Sequence, residues 1–260
     1  MSTAAVRVPA AHLAFEQHGD GVPVVFLHGL TFDRTTWRPI IDRLGVGVRS
    51  IAVDLPGHGA TGGPACSLDD VVGRVRALVD ELGVERPIVV GHSMSGGIAA
   101  MYAAVHPARG AVLVDNSPDI RPFARLVQRL EGALRGPDFA RTFQGFQQSM
   151  SIDRVAEPLR ALVLASQDVR QDVVLGYWDQ VLRTPAADLQ ASIDRVIATL
   201  DVPLLYVFGH ELPADERRQL ETSTPSAQVE VWPDRGHFVH LAEPDRFAAR
   251  LRTFIEACSA

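Results

Sequence analysis

Apolar positions along the chain alternate between two rhythms. Val24-Val25-Phe26-Leu27 is a short continuous apolar run, the pattern of a strand buried on both faces. Strands are also predicted at Val6–Val8, Leu13–Gln17, Ser50–Val53, Pro87–Val90, Ala111–Val114, Leu204–Phe208 and Val229–Trp232. Between them the period lengthens. Leu68, Val71, Val72, Val75, Leu78, Val79 and Leu82 recur at helical spacing, and Gly83 stops the helix. Helices are further predicted over Trp37–Leu44, Met94–His106 (stopped by Pro107) and Pro244–Cys258.

Strands alternating with helices predict an α/β fold: a mostly parallel eight-stranded sheet with helices on both faces. The rhythm breaks between positions 118 and 200. Only amphipathic helical pieces occur there, such as Phe123–Leu134 and Asp172–Leu182, and no strand is predicted. The expected organisation is one domain. Its core would be 1–117 and 201–260, with a helical cap of about 118–200 inserted after the sixth strand. Ligands of such sheets bind beyond the carboxyl ends of the strands. The loops after Leu27, Val90, Val114, Phe208 and Trp232 are therefore where chemistry is sought.

Composition narrows the field. With 47% hydrophobic residues over 260 positions, the chain can bury a core without disulfide or metal staples. Its two cysteines, Cys66 and Cys258, form no paired or metal-spaced motif, and no motif calls for a metal or organic cofactor. A net charge of -6 without a basic cluster argues against nucleic-acid binding. No secretory leader or membrane-length apolar stretch is visible, so the expected setting is cytoplasmic, away from membranes. Oligomeric state is not legible.

The segment Gly91-His92-Ser93-Met94-Ser95 joins a buried strand to a helix. A serine on so tight a turn projects its hydroxyl above the sheet. The residues two away must be small because strand and helix pass close there. Ser95 stands where glycine is usual, and the helix start aims free N–H groups at the site.

With His28-Gly29-Leu30 and a downstream Trp37, Asp54-Leu-Pro-Gly-His-Gly59 and Gly236-His-Phe-Val-His-Leu241, this segment makes the chain resemble the α/β-hydrolase superfamily. The likeness covers nearly the whole length outside the helical insertion. It implies Ser93 as nucleophile and His237 as general base, an imidazole being suited to proton transfer near neutral pH. His240 is a rival displaced toward the final helix. The N–H groups of Leu30 and Met94 would form an oxyanion hole beside His28 and Gly29. The His58-Gly59 loop reads as structural.

The carboxylate is where the pattern departs. The usual acid is the third residue after the glycine closing the seventh strand, but after Gly209 that slot holds Leu212. Asp115, at the end of the sixth strand, is the first choice, as in a minority of the superfamily. Glu211, one residue short of the usual slot, is the alternative, followed by Asp215 or Asp119. In the insertion, Phe123, Phe139, Phe143, Phe146, Met150, Tyr177 and Trp178 suggest an apolar roof. The hydroxyl of Tyr177 and the indole N–H of Trp178 are candidates to orient a substrate.

The resemblance implies a serine hydrolase acting on a small to medium apolar ester or lactone. Perhydrolase (haloperoxidase-like) chemistry and carbon–carbon bond hydrolysis are alternatives, and a ligand receptor of the same fold is a further one.

Overall fold

The computed structural model describes residues 13–259. Seven strands lie in one sheet: β1 (Phe15–His18), β2 (Gly21–Leu27), β3 (Gly47–Val53), β4 (Ile88–His92), β5 (Gly110–Val114), β6 (Leu204–Phe208) and β7 (Gln228–Val231). Their order is β1-β3-β2-β4-β5-β6-β7. Only β1 runs antiparallel to its neighbour; every other pair is parallel. The expected eighth strand, Val6–Val8, falls outside the described residues, so the strand expected third is β2 and the one expected sixth is β5.

The inner strands β4, β5 and β6 are buried at every residue, which accounts for their unbroken apolar runs. One apolar cluster forms on each face. Val25, Leu27, Val89 and Leu113 join one, and Val24, Phe26, Val90 and Val112 join the other, as alternation along a strand requires.

Thirteen helices surround the sheet among the described residues. The first three are α1 (Arg38–Leu44), α2 (Leu68–Glu81) and α3 (Met94–Val105). Trp37, expected to start the first helix, closes a 3-10 turn over Arg34–Trp37; the α-helix begins one residue later, with Pro39 in its first turn. Helix α2 buries Val71, Val72, Val75, Leu78 and Val79 and is capped by the Ser67 hydroxyl, which accepts from Asp70 N–H.

Between β5 and β6 come α4 (Arg121–Arg129), α5 (Glu131–Arg135), α6 (Phe139–Ser149), α7 (Leu159–Ala165), α8 (Gln171–Tyr177), α9 (Asp179–Arg183) and α10 (Ala186–Ala198), with no strand among them. The helix expected over Phe123–Leu134 is two helices, interrupted at Leu130 (φ -94°, ψ 2°). Likewise Trp178 (φ -89°, ψ 2°) divides the one expected over Asp172–Leu182. These short helices enclose a cavity from several directions, which one straight helix would not do. Three helices follow: α11 (Ala214–Ser223), α12 (Val239–Ala242) and α13 (Pro244–Ala257). Among the described residues no helix is long and apolar enough to cross a membrane.

Candidate active site

Gly91, the next-to-last residue of β4, lies so close to α3 that a Cβ there would lie 1.9 Å from the carbonyl oxygen of Ser95. Glycine is obligatory at that point. Two residues on, Ser93 adopts φ 56°, ψ -126°, a left-handed φ that costs a non-glycine residue of order 1–3 kcal/mol. The turn is held by hydrogen bonds: Ser93 N–H to Val114 O (2.8 Å), Gly96 N–H to Ser93 O (2.9 Å) and the Asn116 amide to Ser93 O (2.9 Å). Ser93 sits at the N-cap of α3, yet its side chain makes no capping bond, leaving the hydroxyl free for other work. Ser95 is fully buried and its hydroxyl donates to His28 O, so serine at the position usual for glycine ties the Ser93 turn to the loop after β2.

Asp115 follows β5 and also has a positive φ, 49°. Its side chain is only 6% exposed. Oδ2 accepts from His237 Nδ1 at 2.7 Å, while Oδ1 accepts from Gly209 N–H at 3.0 Å and from His210 Nδ1 at 3.2 Å. Burial works against the ionised carboxylate. The hydrogen bonds from His210 and His237, the imidazole charge of His237 and the Gly209 N–H outweigh it, and the Asp115 carboxyl is held well below its ordinary range. Because a carboxylate only accepts, Nδ1 of His237 carries a hydrogen, and Nε2 is the ring nitrogen left to face the cavity.

The other acids considered lie elsewhere. Glu211 and Asp215 are exposed, Asp215 in the first turn of α11, and Leu212 is buried. Asp119 lines the cavity described below but is bonded through both carboxylate oxygens to Arg121.

The backbone of His237 is anchored on both sides. Its N–H donates to Met150 O (3.1 Å), from the turn after α6, and its C=O accepts from His92 Nε2 (2.8 Å). Buried His92 stacks between His237 and His240, with ring centroids 4.7 Å from each. His240 does not reach the cavity. It is fully buried against Trp37, and neither ring nitrogen has a hydrogen-bond partner.

Ser93, Asp115 and His237 line one cavity of about 640 Å³, together with Gly29, Leu30 and Met94. Among the described residues, no backbone hydrogen bond engages the N–H of Leu30 or Met94. His28, expected in the pocket wall, is instead fully buried behind it: Leu55 N–H donates to its Nε2 and its Nδ1 donates to Gly29 O. Burial lowers its pKa to about 4, so it is neutral. His58 plays a similar part, accepting Thr31 N–H (3.0 Å) and donating to Pro56 O.

Of the residues expected in the roof, Phe123, Phe143, Phe146, Met150, Tyr177 and Trp178 line the cavity, whereas Phe139 stacks behind Phe143. Trp178 packs within 5.1–5.9 Å, centroid to centroid, of Phe123, Phe143 and Phe146. The Tyr177 hydroxyl, expected to orient a substrate, is engaged: it donates to Pro56 O at 2.8 Å and fastens the insertion to the loop after β3.

The contacts of His92 and His210, and the bond from His237 N–H to the Met150 carbonyl, were not anticipated. For His210 there was a usable cue. The parallel register pairs Val114 with Val207, so the residues leaving β5 and β6 emerge side by side, and a histidine just after β6 can reach an acid just after β5.

Residues 24–250 match the alpha/beta hydrolase family model, and the chain belongs to that family. It is 30% identical over 244 residues to a 2-succinyl-6-hydroxy-2,4-cyclohexadiene-1-carboxylate synthase of Serratia proteamaculans (89% of this chain, 92% of the relative). It is also 30% identical over 255 residues to a pimeloyl-[acyl-carrier protein] methyl ester esterase of Yersinia enterocolitica (90% and 93%). Its fold is shared with a thermophilic esterase from Thermogutta terrifontis, at a TM-score of 0.71 and 24% identity over 95% of this chain and 94% of the other.

Proposed function

We infer that this protein is a serine hydrolase that cleaves small to medium, neutral, largely apolar carboxylic esters or lactones. The observation that carries the reading is the His237–Asp115 hydrogen bond in the cavity lined by the strained Ser93. Nε2 of His237 accepts the Ser93 proton as Oγ attacks the carbonyl carbon. The N–H groups of Leu30 and Met94 hold the oxyanion, and His237 then protonates the leaving oxygen. Water hydrolyses the acyl-enzyme by the same steps. Asp115 orients the imidazole and stabilises its cationic form without taking the proton.

The esterase names of the Yersinia and Thermogutta proteins support this reaction class. The Serratia relative is named for a carboxylate product. Here the cavity wall carries Asp69, Asp115, Asp119 and Asp194 and, among the described residues, no arginine. With Asp119 matched by Arg121, the remaining wall carboxylates leave an anionic substrate group without a free counter-charge, which favours neutral substrates. The direct test is turnover of short-chain nitrophenyl esters and lactones of graded acyl length. Multiple turnovers abolished by Ser93→Ala are expected. Ligand binding without turnover, retained in Ser93→Ala, would point to a receptor instead.

A further inference from the structure

Asp115 serves two histidines. His237 bonds Oδ2, and His210, from the turn after β6, bonds Oδ1 beside the Gly209 N–H. We propose that His210 is a positioning residue that shares the Asp115 carboxylate with His237 and thereby sets the pH at which His237 begins to act as a base. The proposal rests on the reading of Asp115 as the acid of the hydrolase.

The surroundings of His210 are simple. Its Nδ1 faces Asp115, Glu216 approaches from α11, and the Phe208 ring packs edge-on at 6.0 Å from its own strand. Glu216 is in turn bonded by the Ser117 hydroxyl. The side chain is 49% exposed, so its Nδ1 is tied to the site while protons exchange freely with solvent. The groups facing His237 are Asp115, His92 and His240; burial keeps both histidines neutral. Among the described residues, His210 is therefore the one neighbour of the pair whose charge can change near neutral pH. Its hydrogen bond to Asp115, followed by the carboxylate charge, raises its pKa.

The consequence is a coupled titration. When His210 is protonated it offsets part of the Asp115 charge, and protonating His237 as well becomes harder. The free-base form of His237 then persists to lower pH. Two cations on opposite oxygens of one carboxylate, screened nearly as in water, separate by about half a pH unit.

The test compares the wild type with His210→Gln, a neutral donor, and His210→Arg, a permanent cation. kcat/KM for a nitrophenyl ester and imidazole ¹⁵N shifts are followed over the pH range in which circular dichroism shows the fold intact. In His210→Gln the acidic limb and the His237 midpoint should move up by about half a unit. In His210→Arg both should lie at or below the wild-type values, and Asp115→Asn should lower the His210 midpoint. A purely structural role for His210 would not make the two substitutions diverge. Coincident midpoints in the Gln and Arg variants would overturn the proposal. Should the wild type hydrolyse no ester, the function assigned above fails, and the His237 midpoints by NMR still decide whether the carboxylate is shared.

Discussion

The Nε2–H of His92, one residue before Ser93, donates to the backbone carbonyl of His237 at 2.8 Å. The turn carrying Ser93 and the loop carrying His237 lie 145 residues apart in sequence, and this bond locks them together. Its partner nitrogen is fixed by protonation state, because burial, reinforced by the nearby His237 and His240, holds His92 neutral.

Replacing His92 should therefore damage geometry more than substrate binding. His92→Phe keeps the stacking but loses the donor and leaves a buried carbonyl unpaired. We expect kcat to fall by at least about tenfold, as for a misplacement of reacting groups, with KM little changed. Steady-state kinetics beside the thermal midpoint check this; an unaltered kcat would discard the role.

The carboxylate assignment predicts an unequal pair of losses. Asp115→Asn should lower kcat by about 10³–10⁴-fold, since an amide can hold the wrong imidazole tautomer. Glu211→Gln should stay within a factor of about two, because an exposed carboxylate outside the cavity carries little of the reaction. Parallel ester assays of the two variants would reverse the assignment if the order were inverted.

Acid should unfold this protein early. His28, His58, His92 and His240 are buried, and desolvation holds their pKa values down, at about 4, 3 and 3 for His28, His58 and His240 and well below 6.5 for His92. The unfolded chain binds protons at these sites below about pH 6.5 while the folded one does not, so stability is lost as pH falls through that value. By linkage each site costs about 2 kcal/mol at pH 5, and four together rival a typical domain stability of roughly 5–15 kcal/mol. Thermal unfolding by circular dichroism should show the midpoint dropping steeply between pH 6.5 and 5. His240→Phe, which removes a ring whose nitrogens have no partner, should flatten that drop.

Substrate charge should matter. Comparing a neutral ester with one ending in a carboxylate at equal length, we expect kcat/KM at least about tenfold lower for the anion, which meets Asp194 and no arginine or lysine among the described residues of the cavity wall. A preference for the anionic ester would remove the argument from the aspartate-lined wall.

Strand periodicity was enough to locate the sheet, because β4, β5 and β6 are buried throughout and a buried strand admits few polar residues. That Ser93 and His237 would meet at one cavity was legible, because a strained turn requires small neighbours and the loops after the strands gather at one end of the sheet. The insertion was legible only as helical. Its breaks at Leu130 and Trp178 each lie two residues from a glycine, Gly132 and Gly176, but an isolated glycine within a helical pattern does not by itself mark a boundary. The Tyr177 hydroxyl was misjudged for a related reason: composition shows a polar tip but not the Pro56 carbonyl that occupies it. His92 and His210 were missed because each acts on a residue far away in sequence, a relation that only the sheet register creates.

The bond from His237 N–H to Met150 O joins the insertion to the loop that carries the imidazole, and a Cβ on the adjacent Gly236 would lie 2.9 Å from the Ser151 side chain. The two segments are in effect one mechanical part. A substitution that displaced the turn at 150–151 would therefore also displace the imidazole proposed above as the general base.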